Sequence, residues 1–120
     1  MRPEDVRVCV LRIEGTNCED EMYEAFKMVG ASPEKVHLKQ LTGQSPSELK
    51  RDVEDYDILA FPGGFSAGDY VRAGAIFAAR IRSAIGPQIR RFVESEKPVL
   101  GVCNGFQILV ELGLLPVCVS

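Results

Sequence analysis

Three places in this 120-residue chain carry groups suited to chemistry. Cys103 lies in VLGVCNGFQIL, between an apolar run and the start of a helical pattern. A thiol at a strand-to-helix corner sits in a sharp turn, with the amides of the next helix aimed at it and the helix dipole favouring the thiolate. Gly101 and Gly105 flank the corner and permit close backbone packing. The second place is the loop FPGGFSAGD, where Gly63 and Gly64 have no side chains to shield their amides from a developing oxyanion. If the strands before these two loops are neighbours, amides at Gly63, Gly64 and Asn104 converge on a carbonyl attacked by Cys103. The third is His37, the chain's one histidine and so its one imidazole base for a thiol. Plainer roles compete: a packing cysteine and a simple Gly-Gly turn are both common.

The order of elements says where these groups stand. VRVCVLRI (6–13) is rich in β-branched residues and predicts a strand ending near Gly15. A helix follows, capped by Thr16 or Asn17, with Glu19, Asp20 and Glu21 at the positive end of its dipole and Met22, Ala25, Phe26 and Val29 as its apolar stripe, stopped by Gly30. KVHLKQL (35–41) reads as a second strand, and SPSELKRDVEDY (45–56) as a short helix with Pro46 in its first turn. Residues 58–61 are apolar without alternation, as in a strand covered on both faces. Residues 72–96 are helical in two pieces divided at Gly86-Pro87, the second with Ile89, Phe92 and Val93 inward. KPVLGV (97–102) is a fourth strand, and NGFQILVELG a helix closing at Gly113. Strand and helix alternate throughout, so the fold class is α/β: a flavodoxin-like parallel sheet with helices on both faces, in one domain over residues 1–120.

Composition excludes several classes. A net charge of −3 with scattered lysines and arginines argues against nucleic acid as a partner. The start, MRPEDVRV, has no apolar leader, and no apolar run is long enough for a membrane span. Cys9, Cys18, Cys103 and Cys118 form no CxxC pair and no metal-ligand spacing, so free thiols in a reducing cytoplasm are expected and no metal is. Cys9, in a strand, reads as a small hydrophobe.

GVCNGFQIL resembles the nucleophile motif G-[IV]-C-x-G-x-Q of class I glutamine amidotransferases. Asn104 and Phe106 within it, RIEGTNCEDEM after the first strand and FPGGFSAGDYVRAGAI after the third are similar to the glutaminase components of phosphoribosylformylglycinamidine synthase. The resemblance covers essentially the whole chain. It implies that Cys103 attacks the carboxamide of glutamine, that amides near Gly64 and Asn104 hold the oxyanion, and that Gln107 and Phe65 help seat the substrate. It further implies ammonia delivery to a synthetase subunit for purine biosynthesis, with a small accessory subunit in the complex. The chain itself would carry no cofactor; ATP and Mg would belong to the synthetase. Ala67 departs from the aromatic residue that many relatives have there.

The family's histidine and glutamate lie well downstream of its cysteine, and this chain ends at LGLLPVCVS before them. It therefore reads as the N-terminal half of a glutaminase. His37 does not replace the missing base: in a 2-1-3-4 sheet it stands three strand spacings from the fourth strand, roughly 14 Å at ~4.8 Å each. Two alternatives stand beside this reading. One is an inactive fragment or a non-catalytic partner-binding domain of the same fold. The other is a cysteine hydrolase of the intracellular peptidase and deglycase group, for which Glu14 would supply the acid. An open fourth strand also leads to an expectation of self-association.

Overall fold

The computed structural model describes residues 2–12, 18–43, 46–62, 70–101, 109–110 and 112–113. Four strands, β1 (Arg7–Arg12), β2 (Ser32–His37), β3 (Ile58–Phe61) and β4 (Val99–Gly101), form a parallel sheet in the order β2-β1-β3-β4. This is the expected doubly wound arrangement, with β1 and β3 as its interior strands.

Side chains alternate across β1 and β3 and build two cores of unequal size. Cys9, Leu11, Leu59 and Phe61 face a large cluster closed by α2 (Leu38–Thr42) and α3 (Tyr70–Glu94), including Leu41, Tyr56, Phe77, Ile81, Ile85 and Phe92. Val8, Val10 and Ala60 face the other side, where α1 (Glu19–Met28) contributes buried Met22 and half-buried Phe26. At about 1.5–3 kcal/mol for each large apolar side chain buried, the α2/α3 side carries most of the stabilisation.

α1 is narrower inward than its pattern predicts. Ala25 is exposed, and so is Val29, because the helix ends at Met28 and Val29 is already its C-cap. The turn closes at Gly30, with φ of 89°. Cys18 occupies the N-cap position without a side-chain cap bond, while Thr16 and Asn17 lie outside the described residues.

Two further expectations need correction. β2 covers residues 32–37, not 35–41, because its register is set by pairing from Arg7↔Ser32 to Arg12↔His37. His37 then ends the strand and caps α2: its Nδ1 accepts from the Lys39 amide at 3.1 Å, and the Gln40 side chain accepts from the His37 amide at 2.9 Å. Leu38 and Leu41, read as strand residues, are instead one helical turn apart and both buried. The segment 45–56 forms no α-helix but two short 3₁₀ turns, Ser47–Leu49 and Val53–Asp55. The Arg51 amide donates to Gln40 O at 2.8 Å, and the Asp52 side chain caps the second turn, so the backbone is committed to neighbours instead of a helical ladder.

α3 breaks where expected. Ile85 has non-helical angles (φ −137°, ψ 22°), because Pro87 lacks an N–H and its ring crowds the carbonyl four residues back. Ile85 and Ile89 stay buried through the kink and Phe92 packs inward, whereas Val93 is exposed. After β4, Leu109 is buried against the large core and Gly113, with φ of 79°, closes the turn after Val110. β4 pairs with β3 on one side and with no strand on the other among the described residues. Leu100 is 42 % exposed although its register partner Ala60 is fully buried.

Candidate active site

Ligands in parallel α/β sheets bind beyond the carboxyl ends of the strands. Phe61, the last residue of β3, is the register partner of Gly101, the last residue of β4. The segments holding Gly63, Gly64 and Phe65 on one side and Cys103, Asn104 and Gln107 on the other thus leave the sheet from paired positions, about 4.8 Å apart. Those six residues, and Glu14, lie outside the described residues. Their points of departure are adjacent, as convergence of the two loops requires.

His37 stands at the same end of the sheet, on its far side. It pairs with Arg12 on β1, and β1 and β3 intervene before β4. Three spacings of ~4.8 Å exceed hydrogen-bond reach, and Nδ1 already serves as a cap acceptor. His37 is therefore out of hydrogen-bond reach of β4.

The cysteines separate clearly. Cys9 is fully buried in the middle of β1, and burial, reinforced by the charge of Glu34, pushes its thiol far above the ordinary range. It is a packing residue. Cys18 is half-buried and in no disulfide, and Cys118 lies outside the described residues.

A charged cluster that sequence reasoning missed ties β2 to the 46–57 crossover. Glu34, opposite Cys9 in register, accepts from the Tyr56 hydroxyl and from Arg51 Nε at 3.1 Å. Burial raises the Glu34 pKa, but the Tyr56 hydroxyl and the Arg51 and Arg7 guanidiniums outweigh it and hold the carboxyl below the usual range. Tyr56 is pushed up, by burial first and then by its bond to Glu34. The Arg7 guanidinium lies 5.0 Å from the Tyr56 ring centroid, and the Arg7 amide donates to Asp57 at 2.9 Å. Nothing in the sequence signalled it, since Glu34 precedes the expected second strand and meets Cys9 only through the register with β1. The cluster sits below the carboxyl edge and holds the scaffold, not a ligand.

At that edge a second missed residue stands out. Glu19 Oε2, in the first turn of α1, is buried without a hydrogen-bond partner. The neighbouring Asp20 is paired with Lys35 of β2 at 2.8 Å, which anchors the start of α1. A cleft of about 730 Å³ lined by Arg82, Pro87, Ile89, Arg90, Val93 and Leu112 lies toward the other end of the sheet, because α3 runs back from the end of β3 toward the start of β4. No three His, Cys, Asp or Glu side chains gather at metal-binding separation, and no helix is long and apolar enough to cross a membrane, among the described residues.

Residues 5–119 match the family described as the CobB/CobQ-like glutamine amidotransferase domain. The chain belongs to that family. Among amidotransferase relatives, the chain is 55 % identical over 117 residues to the phosphoribosylformylglycinamidine synthase subunit PurQ of Archaeoglobus fulgidus, covering 97 % of this chain and 43 % of that protein. PurQ of Picrophilus torridus is 49 % identical over 108 residues, covering 90 % and 41 %. The fold is similar to a chain in the solved structure of PurLQS from Thermotoga maritima, with a TM-score of 0.72 and 38 % identity over 92 % of this chain and 45 % of that one. The chain thus spans less than half the length of these amidotransferase relatives. Membership favours the amidotransferase resemblance over the peptidase and deglycase alternative.

Proposed function

We propose that residues 1–120 are the nucleophile-bearing N-terminal part of a single glutaminase domain that serves phosphoribosylformylglycinamidine synthase in purine biosynthesis. The observation that carries this reading is the Phe61↔Gly101 pairing, which sets the departures of the PGG and VCNG segments side by side. Family membership and the PurQ relatives support it.

Cys103 as thiolate attacks the side-chain carbonyl carbon of glutamine. The resulting oxyanion takes hydrogen bonds from backbone amides near Gly64 and Asn104, with Gln107 and Phe65 seating the substrate. Collapse of the tetrahedral adduct breaks the C–N bond, and the nitrogen leaves as ammonia once it gains a proton. Water then cleaves the thioester to glutamate and restores the thiol. The proton on the departing nitrogen needs a base-acid group other than His37, and polypeptide beyond Ser120 would supply it as a histidine and glutamate. Ammonia passes to a synthetase subunit, which holds ATP and Mg, with a small accessory subunit in the assembly; the compartment is the cytoplasm.

The test compares thiols and turnover. A glutamine-mimicking chloroketone should label Cys103 and leave Cys9 untouched in the folded protein, since Cys9 is fully buried with a raised thiol pKa. Joined to the complementary part of the domain, the chain should release ammonia from glutamine, and Cys103→Ser should abolish release. Labelling of Cys103 no faster than Cys9, or full turnover by Cys103→Ser, overturns the reading.

A further inference from the structure

Two clefts on the α2/α3 face of the sheet run into each other. One, of about 440 Å³, is lined by Leu38, Lys39, Ile76, Ala79 and Arg80; the other, of about 270 Å³, by Leu41, Lys50, Arg51, Ile85 and Arg91. Thr42 lines both, so they form one groove. It exists because the two helices differ in length. α2 stops after five residues at Gly43, whose φ of 79° ends it, whereas α3 runs for 25. Ile76, Arg80, Ala84, Gln88 and Arg91 follow at i, i+4, i+8, i+12 and i+15 along one flank of α3, a wall of roughly 20 Å. Ile76 is 55 % exposed on that wall, although Phe77 beside it is buried.

The floor of the groove is apolar and its rim is basic. Among the described residues that line it, Lys39, Lys50, Arg51, Arg80 and Arg91 stand against a single carboxylate, Asp52, in a chain of net charge −3. Asp52 Oδ1 already accepts from the Glu54 amide at 2.9 Å. Arg51 and Arg91 donate through Nε to Glu34 at 3.1 Å and Glu54 at 2.8 Å, which holds both guanidiniums in place beside the groove. Leu112 and Gly113 line a different cleft with Arg82 and Pro87, on the opposite flank of α3, so these residues after β4 pack away from the groove. A second copy laid on the groove about a two-fold axis would set basic rim against basic rim.

We propose that this groove seats an acidic segment of another subunit of the synthase assembly. Carboxylates of that segment meet the basic rim, and its apolar side chains cover Ile76 and Ala79. The proposal rests on the glutaminase reading and deepens it by naming the partner's chemistry at a surface on the helical face of the sheet. The rim charges act mainly on encounter and orientation, and the apolar contacts on residence time.

The experiment mixes the complete glutaminase subunit with the synthetase and accessory subunits and follows association between about 50 and 300 mM sodium chloride. Lys50→Glu with Arg80→Glu should weaken assembly roughly tenfold or more at low salt, mostly through slower association, and should flatten the salt dependence. Ser83→Tyr, which fills the groove without changing charge, should weaken assembly at every salt concentration. Arg90→Glu, on the opposite flank of α3, should assemble as the wild type does. Hydrogen exchange in peptides spanning 38–43 and 76–91 should slow on assembly. Melting temperatures show that the variants fold; if the double variant melts lower, Lys50→Glu alone, at an exposed position, carries the charge test. Wild-type affinity in the groove variants, an equal loss with Arg90→Glu, or unprotected groove peptides overturn the proposal. Dimers of the isolated subunit that Ser83→Tyr disrupts would give the groove to a second copy and overturn it too. A wild-type subunit that joins no synthetase removes the glutaminase reading and the proposal together. One that joins it and hydrolyses glutamine, with the groove variants unaffected, removes the proposal alone.

Discussion

Tyr56→Phe isolates the bond that pins the 46–57 crossover to β2. The phenyl ring keeps its buried place and its contact with the Arg7 guanidinium, so the substitution deletes one hydroxyl and little else. That hydroxyl donates to a carboxylate, a class of bond contributing about 1.5–3 kcal/mol. Glu34 keeps Arg51 as a second partner and its side chain is 38 % exposed, so the expected loss is at the lower end, about 1.5 kcal/mol. For a chain of this length that lowers the melting temperature by roughly 5 °C. The pH dependence has a definite sign. Glu34 is held below its usual range in the folded state, so its charge contributes stability above the unfolded value near ~4.3. That contribution is lost as pH falls through the folded value. The Tyr56→Phe penalty should therefore be largest at neutral pH and shrink in acid, where a neutral carboxyl accepts a weaker bond. Urea unfolding of the wild type, Tyr56→Phe, Glu34→Gln and the double variant across pH 3–7 measures both effects. A coupling of about 1 kcal/mol is expected at pH 7. Additive single losses, or a penalty that grows in acid, refute the assignment.

Gly43 and Gly30 both have positive φ, but a Cβ at Gly43 meets nothing within 4 Å, whereas one at Gly30 lies 3.3 Å from Pro3 Cβ. Gly43→Ala should cost about 1 kcal/mol of backbone strain, and Gly30→Ala more, as parallel thermal melts would show; equal losses would refute the role of Pro3. The exposed Leu100 on β4, whose outer edge meets no strand among the described residues, should promote self-association, so Leu100→Lys should shift sedimentation of a dilution series toward monomer with little loss of stability. Unchanged association would place the contact elsewhere.

The elements most legible in the sequence were those whose local pattern and tertiary environment agree. Ile58–Phe61 reads as a doubly covered strand, and Leu59 and Phe61 do pack on one face with Ala60 on the other. Pro87 announces the break in α3 because its chemistry acts locally. β2 was misplaced because its first residues, Ser32-Pro33-Glu34-Lys35, carry no strand pattern, and only pairing with β1 makes them one. Pro33 is tolerated there because β2 is an edge strand. The 45–56 segment was misread for a similar reason: Arg51 and Tyr56 answer to Glu34, which no helical periodicity reveals. In the site, the cysteine and glycine motifs could be found from residue types alone. The burial of the Glu19 oxygen could not be foreseen, since a glutamate in a first helical turn is ordinarily explained by the dipole.

The pairing of Phe61 with Gly101 also sets a schedule. β1, β2 and β3 all lie before residue 62, so three strands with the α1 layer are in hand as the chain emerges from its amino end. β4 comes only after the whole of the 25-residue α3, so its pairing with β3 waits on the longest helix among the described residues. The strand that precedes the nucleophile is thus the last of these four to be made. Three of the four described strands exist as a template before β4 sets the departure of the VCNG segment beside that of the PGG segment.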